Sequence, residues 1–131
     1  MGGPVRVYLA GPIYGCTDSE AMDWRSEARA LLIGHECVDP MVRDCRGREE
    51  ECFEDVVLRD KADIDSCHAM LVMFNRPSVG TAMEVLYAWE HGCSVFVVNR
   101  SGASLSPWLR FHSYAIHESL SAAVRAIKEL V

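Results

Sequence analysis

Three nearly unbroken apolar runs, Val5 to Ala10, Ala69 to Phe74 and Ser94 to Val98, alternate with longer amphipathic stretches. This alternation constrains the fold more than any other feature of the sequence. Each run is too short for a buried helix and matches a buried strand. A strand apolar along its whole length must be covered on both faces, which parallel sheets flanked by helices achieve. The stretches between them carry apolar residues at helical spacing. One uses Ala21, Trp24, Ala28, Leu31 and Leu32, with Asp18 or Ser19 as its cap and Gly34 as its stop. A second begins at Glu49 and carries Phe53, Val56, Val57 and Ala62, and a third opens at Thr81 and stops at Gly92. Brief strands are expected at Cys37-Val38 and Tyr114 to Ile116, a short helix near Pro107-Trp108-Leu109, and a last helix from Ser119 to Leu130. The reading is an α/β protein with a doubly wound, five-stranded parallel sheet and helices on both faces.

The length of 131 residues fits one domain, 1–131, with no repeat or linker to divide it. Thirteen Lys and Arg stand against 19 Asp and Glu, a net charge of −6, which disfavours polymeric nucleic acid or an anionic membrane as partner. No apolar run approaches a membrane span or a signal peptide. The six cysteines form no C-x-x-C pair, and His35-Glu36-Cys37 with Cys45 and Cys52 is a poor zinc pattern, so no metal site is expected. These features place the chain in the cytoplasm with reduced thiols. The polar stretch from Met41 to Arg48 reads as an irregular, mobile lid.

In doubly wound sheets, ligands sit beyond the carboxyl ends of the strands. That rule selects the loops after Ala10, Phe74 and Val98. The first, Gly11-Pro12-Ile13-Tyr14-Gly15, has two glycines four apart that either make a tight turn or let backbone N–H groups face an anion. In the second, Ser78 and Gly80 precede a helix start, where free N–H groups and the helix dipole converge. Glu84 follows one turn later among Ala82, Met83, Val85 and Leu86. An ionised carboxylate in such surroundings needs hydrogen-bonding partners or a chemical task, although complementing the dipole is the simpler use. The third loop carries Ser106 before Pro107, an ordinary N-cap taken alone. Asp60, Asp63 and Asp65 cluster at the end of the second helix, and spacing does not say which of them faces a site.

Together, Tyr8-Leu9-Ala10-Gly11-Pro12-Ile13, then Asp60, then Ser78-Val79-Gly80-Thr81-Ala82-Met83-Glu84 resemble the nucleoside 2-deoxyribosyltransferase superfamily, whose members break the N-glycosidic bond of nucleosides or nucleotides. The resemblance runs over nearly the whole chain and implies a flavodoxin- or Rossmann-like sheet. It implies Glu84 as the nucleophile at the anomeric carbon, Tyr8 as the residue orienting it, and Asp60 as a contact to sugar or leaving base. It also implies substrate contacts from Gly11, Ile13, Tyr14, Gly15, Ser78, Gly80 and Ser106, and no cofactor.

Transferases of the superfamily usually carry Asp six residues before the nucleophile, where this chain has Ser78. A carboxylate would repel a phosphate dianion, whereas a hydroxyl can donate to it. Ser78 and the Leu105-Ser106-x-x-Leu109-Arg110 stretch are similar to the nucleoside 5′-monophosphate N-glycosidase branch, which includes deoxynucleotide and cytidylate hydrolases. The final residue, Val131, stands where transferases tend to place a tyrosine. One feature departs from the branch: Tyr14 occupies a position where hydrolases often have Arg, with Arg25, Arg43 and Arg110 as possible substitutes. The resemblance further implies a homodimer in which Ser106 reaches the phosphate in the neighbouring subunit's site, with Trp108, Leu109 and Phe111 as an apolar patch for that contact. The expected reaction is hydrolysis of a (deoxy)nucleoside 5′-monophosphate. The alternatives are base exchange by a deoxyribosyltransferase and a non-catalytic nucleotide-binding module.

Overall fold

The computed structural model describes residues 3–130, so Val131 lies outside the described residues. Five parallel strands form one sheet in the order β2-β1-β3-β4-β5. They are β1 (Arg6–Ala10), β2 (Glu36–Val38), β3 (Ala69–Phe74), β4 (Ser94–Asn99) and β5 (Ala115–His117). The helices are α1 (Asp18–Leu31), α2 (Glu49–Asp65), α3 (Val79–Glu90), α4 (Pro107–Phe111) and α5 (Leu120–Lys128), with a 3₁₀ turn at Pro40–Arg43. The doubly wound α/β sheet inferred from the apolar runs is the one observed.

Alternation along β1 decides where the chemistry sits. Val7 and Leu9 face the layer built by α1 and α5, packing with Trp24, Ala28, Leu120, Val124 and Ile127. Tyr8 and Ala10 face the opposite layer, with Ile64 of α2, Val85 and Ala88 of α3 and Leu109 of α4. Each fully buried Leu, Ile, Val or Phe here contributes about 1.5–3 kcal/mol by leaving water. The strand period therefore aims Tyr8 between α2 and α3.

Several boundaries differ from the sequence reading for local reasons. Thr17, rather than Asp18 or Ser19, caps α1: its hydroxyl accepts from Glu20 N while Glu20 reaches back to Thr17 N, a reciprocal capping box. Helix α3 begins at Val79, two residues before Thr81, because the Ser78 side chain accepts from Thr81 N and satisfies its first turn.

Residues 41–48, expected to be a loose lid, are instead tied down. Arg46 donates to Cys16 O at 3.0 Å, to Asp18 at 2.7 Å and to Asp44 at 2.7 Å. Cys45 and Cys52 are joined as a disulfide across the start of α2, which corrects the expectation of reduced thiols. The first turn of α2 brings the two side chains together, with Cα atoms 6.7 Å apart. Cys16, Cys37, Cys67 and Cys93 are free. Among the described residues no helix is long and apolar enough to cross a membrane.

Candidate active site

The carboxyl ends of β1 and β3 open onto a cavity of about 510 Å³. Its walls include Gly11, Ile13 and Tyr14 from the loop after β1, Asp60 and Ile64 from α2, and Ser78, Gly80 and Glu84 from the start of α3. Of the residues singled out in the sequence, these converge on one space.

From the sheet beneath, the Tyr8 phenol donates to Glu84 Oε2 at 2.7 Å. Tyr8 is fully buried, and burial together with the negative charges of Glu84 and Asp60 holds its pKa far above the ordinary phenol range. It is therefore a permanent donor. Glu84 is partly buried; desolvation pushes its carboxyl up to about 8, opposed by the Tyr8 hydrogen bond and reinforced by the charge of Asp60. Asp60 is raised by burial too, while hydrogen bonding to Arg43 pulls it back down. Two carboxyls so coupled titrate as a pair and hold one proton between them over part of the pH range.

Position resolves the three aspartates. Asp60 lines the cavity, Asp63 accepts from Arg43 Nη2 at 2.5 Å, and Asp65 accepts from the Tyr87 hydroxyl at 2.9 Å. Spacing could have narrowed this: Val56, Asp60 and Ile64 recur every fourth residue, one helix face, and all three line the cavity.

Ser78 accepts from Thr81 N at 3.3 Å and from the Thr81 hydroxyl at 3.0 Å, which leaves its own proton available to an anionic ligand. It also borders a second cavity of about 720 Å³, shared with Arg76, Ser104 and Ser106. Ser106 lines this second space rather than the one holding Glu84, and there it caps α4 by accepting from Trp108 N. Gly15 borders neither cavity; its φ of 73° makes it a turn residue. Gly11 does line the first cavity, but its lack of a side chain also has a packing cause. A Cβ there would stand 2.8 Å from Trp24 Cζ2 and 3.3 Å from Met73 O.

The three candidate cations separate clearly. Arg25 is fully buried and spends its donors on Leu9 O, Gly11 O and Ala21 O, so it is structural. Arg43 is held by two carboxylates, and Arg110 is exposed on α4. Sequence reasoning overlooked Arg46 and Lys61, which line the first cavity, and Arg76, which lines the second. Arg76 donates to Tyr14 O at 3.3 Å and to Cys16 Sγ at 2.7 Å, so its guanidinium stands against the Tyr14 loop. In the expected apolar patch Trp108 and Phe111 are exposed, whereas Leu109 belongs to the core. Among the described residues no cluster of three or more His, Cys, Asp or Glu could hold a metal ion.

The family model described as nucleoside 2-deoxyribosyltransferase matches residues 7–121. The chain belongs to that family. Solved structures of similar fold include a 2-deoxyribosyltransferase of Bacillus psychrosaccharolyticus, 21% identical with a TM-score of 0.74 over 91% of this chain and 90% of that one. A conserved protein of Enterococcus faecalis V583 is 12% identical, with a TM-score of 0.74 over 98% of this chain and 100% of that one. The CMP N-glycosidase BcmB of Clostridium botulinum is 16% identical, with a TM-score of 0.61 over 96% of this chain and 99% of that one. No curated protein matches the sequence. The match to the nucleoside 2-deoxyribosyltransferase family spans β2 to β5, all of β1 but Arg6, and every cavity-lining residue named above. Members of the family are enzymes acting on small nucleoside or nucleotide substrates.

Proposed function

We propose that the chain, as one catalytic domain over residues 1–131, is an N-glycosidase. It hydrolyses a (deoxy)nucleoside 5′-monophosphate to free base and (deoxy)ribose 5-phosphate. The observation that carries this reading is the 2.7 Å bond from Tyr8 to Glu84 in a cavity shared with Asp60. One carboxylate is oriented by a donor that never ionises, and a second, coupled carboxyl stands beside it. That is the equipment for displacement at an acetal-like carbon.

In the resting pair the shared proton lies on Glu84, the more strongly raised carboxyl; in the productive state it has passed to Asp60, which leaves Glu84 ionised. Glu84 Oε attacks C1′ as the C1′–N bond breaks, and Asp60 gives its proton to the departing base. Water then attacks C1′ of the glycosyl-enzyme, Asp60 takes the water's proton, and Glu84 leaves as carboxylate. The Tyr8 hydroxyl holds Glu84 in line throughout. Ser78, with its hydroxyl proton free at the start of α3, supports a phosphate-bearing substrate. On this reading the second cavity is closed by another copy of the chain, whose Ser106 reaches the phosphate; the exposed Trp108 and Phe111 support that association.

The deciding experiment is a panel of ribo- and deoxyribonucleoside monophosphates run beside the matching nucleosides, with detection of free base. Release from monophosphates, abolished by Glu84→Gln, is the expected result. Base exchange is the second reading, favoured by the family to which the chain belongs. A deoxynucleoside incubated with a second free base would then give exchanged nucleoside faster than free sugar. Binding without turnover in either assay would indicate a nucleotide-binding module.

A further inference from the structure

Arg43 belongs to none of the motifs that suggested the site, yet it reaches Asp60, one carboxyl of the proposed pair. The 3₁₀ turn after β2 delivers it to the cavity wall, where Nη2 donates to Asp60 Oδ1 at 3.1 Å and Asp63 Oδ2 at 2.5 Å. Asp60 and Asp63 lie three residues apart on α2, so one guanidinium bridges both. Its Nε is buried without a hydrogen-bond partner, so that edge of the group does not face solvent.

We propose that Arg43 is a positioning residue for the Asp60–Glu84 pair: it fixes the Asp60 carboxylate against the cavity and sets the pH window in which the two carboxyls share one proton. The kinetic half of this statement rests on the glycosidase reading.

The charges around Asp60 make Arg43 the decisive one. Tyr8 of β1 is committed to Glu84, and Glu84 of α3 is itself acidic. Asp63 is a like charge on the same helix, and Lys61 points to the cavity near Tyr87, 5.3 Å from its ring centre. Arg25 of α1 acts on Glu84 by charge, but its hydrogen bonds go to backbone carbonyls. Arg46, Asp44 and Glu49 also line the cavity, and Arg46 is engaged by Asp18 and Asp44. Among the described residues Arg43 is the one cation in ion-pair contact with Asp60. Without it, Asp60, Asp63 and Glu84 would be three neighbouring acids with no cation bound to them, and each would hold a proton more tightly.

The test compares wild type, Arg43→Gln and Arg43→Lys in two measurements. One is the pH profile of base release; the other is a carbon-13 NMR titration of the side-chain carboxyls in the resting protein. Arg43→Gln is expected to move both limbs of the profile, and the paired carboxyl titrations, upward by about one pH unit. Arg43→Lys keeps the charge but cannot bridge both aspartates, and is expected to move them by a smaller amount. A folded Arg43→Gln protein with lowered kcat and unmoved limbs and titrations would overturn the proposal and leave Arg43 a structural residue. If Arg43→Gln does not fold, Arg43→Lys decides, and a profile and titration identical to wild type overturn it. Absence of base release from wild type would sink the glycosidase reading, while the NMR titration would still judge Arg43.

Discussion

The Tyr8 hydroxyl and the Glu84 carboxylate, 76 residues apart in sequence, meet at 2.7 Å between the first strand and the third helix. The contact exists because β1 turns Tyr8 toward the α2–α3 layer and Ser78 starts α3 early enough to bring Glu84 over it. Removing the donor while keeping the ring is the direct probe. Tyr8→Phe is expected to keep the fold and lower kcat about 10- to 100-fold, the range for a hydrogen bond to a charged group. KM should change little. Steady-state kinetics beside circular dichroism check this, and an unchanged kcat would remove Tyr8 from the mechanism.

Glu84 links activity to stability through pH. Its carboxyl, raised by burial to about 8, binds a proton more tightly in the folded chain than in the unfolded one. Stability from this group is thus fully present below its unfolded pKa of about 4.3 and is lost as pH rises through about 8. Melting temperature is expected to fall between these values in wild type. Glu84→Gln mimics the protonated form, so it should flatten that slope and melt higher than wild type at pH 8 while releasing no base. A parallel pH dependence in both proteins would contradict the burial of this charge.

Activity should follow the same pair. Base release needs one proton shared by Asp60 and Glu84, so it is expected to decline above about pH 8, where that proton leaves. A rate that keeps rising past this point would mean the leaving base takes its proton from elsewhere.

Ser78→Asp separates phosphate recognition from folding, because aspartate caps a helix as well as serine does. Stability should hold. KM for a nucleoside monophosphate is expected to rise about tenfold or more through charge repulsion, with KM for the matching nucleoside nearly constant. Equal losses on both substrates would argue against a phosphate at Ser78.

Gly11→Ala tests packing at the cavity floor. The added Cβ meets the Trp24 ring at 2.8 Å and must displace it, at a cost of about 1–3 kcal/mol. A lower denaturation midpoint is expected, and an unchanged one would mean that the Trp24 ring yields freely.

The strands were legible because each is apolar from end to end, and β3 falls on Ala69–Phe74 as read. Glu84 was legible because a carboxylate amid Met83, Val85 and Leu86 contradicts its surroundings. Other features depend on tertiary placement. Asp60, Asp63 and Asp65 have the same chemistry and nearly the same position, and only what α2 packs against assigns Asp60 to the cavity and Arg43, Asp63 to Arg43, and Asp65 to Tyr87. Arg43 was read only as a possible phosphate contact; its bridge to Asp60 and Asp63 was hidden because its segment looked irregular, and a side chain's reach across a cavity leaves no periodic trace. The cap at Thr17 was readable as Thr-x-x-Glu, a local pattern outweighed by the more conspicuous Asp18.

Arg25, sealed inside the molecule with its guanidinium 4.7 Å from the Trp24 ring centre, clasps the carbonyls of Leu9 and Gly11. Those oxygens mark where the first strand ends and the entrance loop begins. By drawing their negative ends inward, this hidden charge makes the loop's outer face less hostile to an anion. The polarity of the doorway is thus governed from behind it, by a residue that no substrate touches.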